Sequence, residues 1–289
     1  MTEPTSHTLE VPGAVLAYDV RAAESETGEP PLLLIGSPMD ASGFASLAAH
    51  LPNRTVVTYD PRGTARSERT DGVVESTPEL HADDLRRLIS ALGDQRLDIL
   101  ASSGGAVNAL ALVARHPEQV RTLVAHEPPT APVLPDREQA RAAVAAIHAT
   151  YQRDGVGPAM GQFILLTSLK GPIPGDFAEQ PPPDPATFGL PAEDDGRRDD
   201  ALIGQNLLSC TGYEPDFEAL RAASTRIVVG IGADSEGELA HRAGEGVAER
   251  LGAEPVTFPG GHGGFLGGEY GMNGDPKGFA AVLRQALVE

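Results

Sequence analysis

The sequence predicts an α/β fold: a mostly parallel eight-stranded sheet, flanked by helices on both faces and interrupted by one helical insertion. Three observations carry this reading. Short apolar, β-branched runs bounded by Gly, Pro and Asp recur along the chain, as expected for strands covered on both faces. Amphipathic helical patterns alternate with them, the signature of parallel βαβ units. One long stretch, residues 130–222, carries helical patterns and no strand pattern.

The elements follow in order. Residues 6–11 (SHTLEV) and 14–20 (AVLAYDV) read as a hairpin-paired opening. Strand runs then follow at 31–36 (PLLLIG), 55–60 (TVVTYD), 97–102 (LDILAS), 121–126 (RTLVAH), 225–232 (TRIVVGIG) and 254–260 (EPVTFPG). Helices fit between and after them at 42–51, 77–92, 104–116, 236–251 and 275–288. The insertion adds REQARAAVAAIHATYQ, AMGQFILLTSL and DDALIGQNLLS around a Pro/Gly/Asp-rich stretch that reads as a mobile loop. The expected organisation is therefore a core of residues 1–129 and 223–289 with a helical cap at 130–222.

Composition limits the functions open to such a fold. A chain of 289 residues can bury a large core. Its net charge is −19 and it has no basic cluster, which argues against nucleic acid and anionic lipid as partners. No apolar run is long enough to span a bilayer, and MTEPTSHTLEVPG lacks the regions of a signal peptide, so no membrane association and a cytoplasmic location are expected. The lone Cys210 reads as a small buried side chain. A small-molecule substrate is the expected partner, and a homo-oligomer is compatible with the sequence. No pattern calls for a metal or a cofactor.

The chemistry is concentrated where 97–102 meets 104–116. Strand and helix are joined by Ala101, Ser102, Ser103, Gly104 and Gly105, with no ordinary turn residue. A serine at the tip of so tight a turn is held in a strained conformation, its hydroxyl thrust above the sheet, and the residues two before and two after it must be small. Centred on Ser103 these are Ala101 and Gly105; centred on Ser102, Leu100 would fall at a position needing a small side chain. Ser103 is the candidate nucleophile. A phosphate cradle would need the GxGxxG pattern or the Walker lysine, and both are missing here.

A serine hydroxyl needs a base, and the base needs an orienting acid. His262, in the Gly-rich PGGHGGFL after the last strand, can bring an imidazole over the sheet. His50, His81, His116 and His148 fall on helical patterns, His7 lies near the N-terminus and His241 begins a helical turn. Two carboxylates compete as the acid. Glu127 ends the strand next to the elbow and is followed by two prolines; Asp234 follows the next strand, where it also suits a helix N-cap. Oxyanion donors are expected from Gly104 and from the turn at Gly36 or Ser37, since Pro38 has no N–H. Arg62, in YDPRGTARS, reads as a structural brace between loops. Met39, Met160, Phe163 and Leu166 are the expected substrate contacts.

Taken in order, these stretches resemble the α/β-hydrolase superfamily across essentially the whole chain. LLLIGSP stands where many members have His-Gly-x-Pro, with Ile35 replacing that histidine. Members most often carry the acid at the position of Asp234. Within the superfamily, SSGGA followed by HEPPT resembles the zearalenone-type lactone hydrolases, whose nucleophile sits in a Ser-Ser-Gly elbow and whose acid is the Glu of His-Glu-x-Pro. This likeness implies Ser103, Glu127 and His262, and favours Glu127 over Asp234. It implies a cofactor-free serine hydrolase acting on an ester or lactone through an acyl-enzyme, while the substrate itself does not carry over. The apolar residues of the insertion (Met160, Phe163, Ile164, Leu165, Leu166 and Tyr213) point to a hydrophobic small molecule. Relatives that open epoxides or remove halide need a carboxylate where Ser103 stands. The alternatives are a cofactor-free perhydrolase and a non-hydrolytic binder on the same scaffold; labelling of Ser103 by a fluorophosphonate separates the binder from the enzymes.

Overall fold

The computed structural model describes residues 3–25, 27–93 and 95–288. The apolar runs become strands β1 (Thr5–Val11), β2 (Ala14–Arg21), β3 (Leu32–Ile35), β4 (Val56–Tyr59), β6 (Leu97–Ser102), β7 (Val120–His126), β8 (Arg226–Gly232) and β9 (Val256–Phe258), with a two-residue β5 (Glu68–Arg69). The order across the sheet is β1-β2-β4-β3-β6-β7-β8-β9, and β5 pairs with β2. Thus the eight expected strands form one path, and β5 is an addition too short to leave a periodic signal. The pairs β1–β2, β2–β4 and β2–β5 are antiparallel; every pair from β4 through β9 is parallel. All parallel strands therefore end on one edge, and the candidate residues of the elbow, the 126–127 junction and the 259–262 turn collect there.

Helices α1 (Ala45–Ala49), α2 (Pro78–Leu92), α3 (Gly104–Arg115), α4 (Arg137–Asp154), α5 (Val156–Ser168), α6 (Leu207–Gly212), α7 (Phe217–Ala222), α8 (Leu239–Leu251) and α9 (Pro276–Val288) complete the chain. Successive strand residues point to opposite faces. In β3, Leu33 and Ile35 pack with Leu85 and Leu88 of α2, Leu110 of α3 and Val247 of α8. Leu32 and Leu34 pack on the other side with Leu47 of α1 and Phe279 and Leu283 of α9. This explains why β3 and β6 are buried along their whole length and read as continuous apolar runs.

Two boundaries differ from the sequence expectation. The segment expected as one helix over 42–51 is a 3-10 turn, Ala41–Phe44, running into the short α1. Helix α8 begins at Leu239 rather than near 236, because Gly237 takes a positive φ of 82° and the chain turns before entering the helix. Arg62 braces loops as expected: it is buried and donates to Asp84 at 2.7 and 2.6 Å and to the Pro12 carbonyl at 3.3 Å.

Between β7 and β8 the described residues form helices and turns, with a cluster of their own built from Ala140, Ile147, Tyr151, Leu166 and Leu207. Leu239 and Ala243 of α8 join that cluster and seat it on the sheet-flanking layer. The Pro-rich stretch is anchored: Ile173 and Phe177 are buried in the cluster, and Asp136 accepts from the Ile173 N–H at 2.8 Å. Residues Ala201–Asn206 form a π-helix leading into α6. Among the described residues no helix is long and apolar enough to cross a membrane.

Candidate active site

The elbow takes the conformation its small residues allow. Ser103 has φ 57° and ψ −130°, a region costing a non-glycine residue on the order of 1–3 kcal/mol. A Cβ on Gly104 would stand 2.6 Å from the Ser37 carbonyl oxygen, and one on Gly105 2.6 Å from that of Ile35. Both glycines are therefore required by the approach of α3 to the end of β3. Ala101 is fully buried between Ile35 and Ala125 of the flanking strands, so the turn accepts a methyl there. Ser102 and Ser103 face opposite ways. Ser102 is buried and bonded to His126 Nδ1 at 3.0 Å; Ser103 is partly exposed and lines a cavity.

Glu127 also sits at positive φ, 46°, at the end of β7. Its N–H is tied to the Gly230 carbonyl of β8 at 2.9 Å, and its carboxylate is wholly buried. His262 Nδ1 lies 2.6 Å from Glu127 Oε2. The second oxygen accepts from the Gly232 N–H at 2.8 Å and from the Ser235 hydroxyl. Burial alone would raise the Glu127 carboxyl; the His262 hydrogen bond and charge, His126 and the Ser235 hydroxyl outweigh it and hold the group at about 2. It is a carboxylate at any physiological pH.

Asp234 lies apart. It is exposed, its side chain makes no hydrogen bond among the described residues, and its backbone N–H goes to the Gly260 carbonyl. Nor does it cap α8, whose N-cap position is Glu238. The end of β8 and the turn after it do reach the carboxylate, but through Gly232 and Ser235. Sequence reasoning passed over both, because a backbone N–H and a lone serine carry no pattern.

A family model described as "alpha/beta hydrolase fold" matches residues 30–163. An uncharacterized hydrolase, YraK of Bacillus subtilis (strain 168), is 32% identical over 267 residues, 89% of each chain. The chain belongs to the α/β-hydrolase family. Among solved structures, the enol-lactonase of Burkholderia xenovorans LB400 superposes with a TM-score of 0.66 at 19% identity, covering 98% of this chain and 100% of that one. A thermophilic esterase from Thermogutta terrifontis gives 0.65 at 19% identity, covering 99% and 100%. At such identities the structural likeness speaks for the fold.

In this hydrolase Ser103, Gly104, Ser37 and His262 line one cavity of about 290 Å³ under the inserted helices. Gly36 does not line it, so of the two residues expected in the turn after β3, Ser37 is the one at the cavity wall. Phe163 and Leu166 of α5 lie on its wall, together with Leu202, Leu207 and Met272. Met39 and Met160 do not. Met39 packs against Gly36 and Gly43 beside the α1 layer, and Met160 packs within the cluster of the insertion. Both methionines fill space between elements, which their apolarity alone could not distinguish from lining a cavity. Cys210 is buried, as expected, and it also lines the wall beside Gly104; burial pushes its thiol up to about 12. Asn206, at the end of the π-helix, reaches the cavity and bonds to buried His81 of α2 at 2.8 Å, linking the insertion to the core.

A larger hollow of about 630 Å³ lies between β2, β4 and α1, but it contains none of Ser103, Glu127 or His262. Among the described residues no group of three or more His, Cys, Asp or Glu side chains is placed to hold a metal ion.

Proposed function

We propose that this hydrolase cleaves a neutral, hydrophobic ester or lactone, with Ser103 as nucleophile, His262 as base and Glu127 as the orienting acid. The observation carrying this reading is the 2.6 Å contact between His262 Nδ1 and the buried Glu127 carboxylate, with His262 and the strained Ser103 on one cavity wall. With Nδ1 engaged, His262 Nε2 is left to take the Ser103 proton. The alkoxide adds to the substrate carbonyl, and the oxyanion rests on the Gly104 and Ser37 N–H groups. The intermediate collapses as the leaving oxygen takes the proton from His262. Water, deprotonated by the same imidazole, then adds to the acyl carbon and frees Ser103.

The cavity supports the substrate class. Its wall is dominated by Phe163, Leu166, Leu202, Leu207 and Met272, and among the described residues lining it Glu238 is the only Asp, Glu, Lys or Arg. Among the described lining residues there is no Lys or Arg to offset a substrate carboxylate or phosphate, so a neutral molecule is favoured. An enol-lactonase and an esterase share this fold, which supports an ester or lactone as the bond cleaved.

The test is labelling with a fluorophosphonate, followed by hydrolysis of p-nitrophenyl butyrate and a medium-ring lactone. Labelling is expected at Ser103, absent in Ser103→Ala and retained in Ser102→Ala, with hydrolysis lost in step. Full hydrolysis by Ser103→Ala would remove the serine mechanism, and a folded protein that neither labels nor hydrolyses would favour the binder.

A further inference from the structure

Only one oxygen of Glu127 faces His262. Behind the other stands a second imidazole that the reaction above does not use. His241, on the first turn of α8, is nearly buried; its Nδ1 lies 3.1 Å from the Gly232 carbonyl, 3.4 Å from Ser235 Oγ and 3.7 Å from Glu127 Oε1. Its Nε2 lies 3.7 Å from Glu245, which is more than half exposed.

The proton of Ser235 has three acceptors within reach. They are Glu127 Oε1, the Gly232 carbonyl at 3.2 Å and, if His241 Nδ1 were bare, that nitrogen at 3.4 Å. The contact of His241 Nδ1 with the Gly232 carbonyl requires the proton on Nδ1, whether the ring is neutral or charged. That assignment removes His241 as an acceptor; of the two oxygens left, the charged Glu127 Oε1 is nearer than the Gly232 carbonyl and takes the Ser235 proton. A glutamate needs such pinning, because its terminal torsion is soft and would otherwise let the carboxylate turn away from His262.

We propose that Ser235 and His241 are positioning residues for the hydrolysis. His241 fixes the direction of the Ser235 hydroxyl, and Ser235 fixes the carboxylate that orients His262. This arm rests on the reading of Ser103, His262 and Glu127 as the reacting set.

The test compares kcat and KM for p-nitrophenyl butyrate in Ser235→Ala and His241→Leu with those in Ser235→Thr and His241→Asn, which keep a hydroxyl and an N–H donor. Loss of a hydrogen bond to a charged group corresponds to roughly a ten- to hundredfold fall in kcat. KM is expected to stay within about twofold, and the two conservative variants to recover most of the rate. In Ser235→Ala the acid limb of kcat/KM should move to higher pH, because a carboxylate that loses a donor turns more negative charge toward its imidazole. The ionisable groups around that carboxylate are His126 from β7, His262 from the turn after β9 and His241 from α8, with Glu245 facing His241. Should Ser235→Ala not fold, Ser235→Cys keeps the volume with a far weaker donor and is expected to show the same fall. Unchanged kcat in Ser235→Ala, or an equal fall in Ser235→Ala and Ser235→Thr with the limb unmoved, overturns the arm. Glu127→Gln separates the two levels. If it is inactive while Ser235→Ala and His241→Leu are normal, only the arm fails; if it is fully active, the reacting set fails as well.

Discussion

Two adjacent serines stand where β6 gives way to α3, and the turn sends them in opposite directions. Ser102 completes the strand and bonds to buried His126, while Ser103 leaves it at positive φ and reaches the cavity. A similar divide separates the two carboxylates. Glu127 is buried with three hydrogen-bond donors on its oxygens, and Asp234 points to solvent. If Glu127 orients His262, Glu127→Gln should lower kcat by about ten-thousandfold, since the amide favours the wrong imidazole tautomer. Asp234→Asn should leave both kcat and Tm close to those of the parent. Steady-state kinetics on p-nitrophenyl butyrate check this, and a reversed ranking would return the acid to Asp234.

The elbow and α5 separate construction from selection at the scale of elements. In Gly105→Ala the new methyl meets the Ile35 carbonyl at 2.6 Å, so α3 must back away from β3. Such overpacking costs about 1–3 kcal/mol, and thermal unfolding should begin several degrees lower, with activity reduced as Gly104 shifts. An unchanged Tm would mean that the elbow has slack that these distances deny. Helix α5 contributes a wall. Phe163→Ala should raise KM for bulky hydrophobic esters while leaving kcat for p-nitrophenyl acetate within a fewfold. Comparison of the two substrates reads this directly, and loss of acetate hydrolysis in a folded variant would place catalytic groups on the insertion.

Two buried histidines make the whole molecule sensitive to acid. Burial is the main cause that lowers His81 and His126 to about 4, from 6.5 for a free imidazole. Between those values the unfolded chain holds more protons than the folded one, so stability rises with pH. The contribution is fully present above pH 6.5 and is lost as pH falls towards 4, by up to about 1.4 kcal/mol per pH unit for each histidine. Glu127, held at about 2 against 4.5, acts with the same sign in a lower window. Tm should therefore be level above about pH 7 and fall steadily between pH 6 and 4.5, with a shallower fall in His81→Gln. A Tm flat from pH 7.5 to 4.5 would contradict this account of the two rings.

The sequence by itself determined what local pattern can encode. Apolar runs and helical periods marked the strands and most helices, because backbone geometry imposes periods of about two and 3.6 residues. The smallness around Ser103 marked the elbow, because only small residues let a strand and a helix meet so tightly. The starts of α8 and α1, and the two-residue β5, fell below that signal. Only the tertiary structure decided which carboxylate meets His262, since Glu127 and His262 are joined across the strand ends from distant parts of the chain. It also decided that Ser235 and His241 stand behind Glu127, and that Phe163 and Leu166 face the cavity while Met39 and Met160 fill the packing. The reason is physical: residue type and spacing report whether a side chain will be buried, but what it is buried against is set by elements far away in the chain.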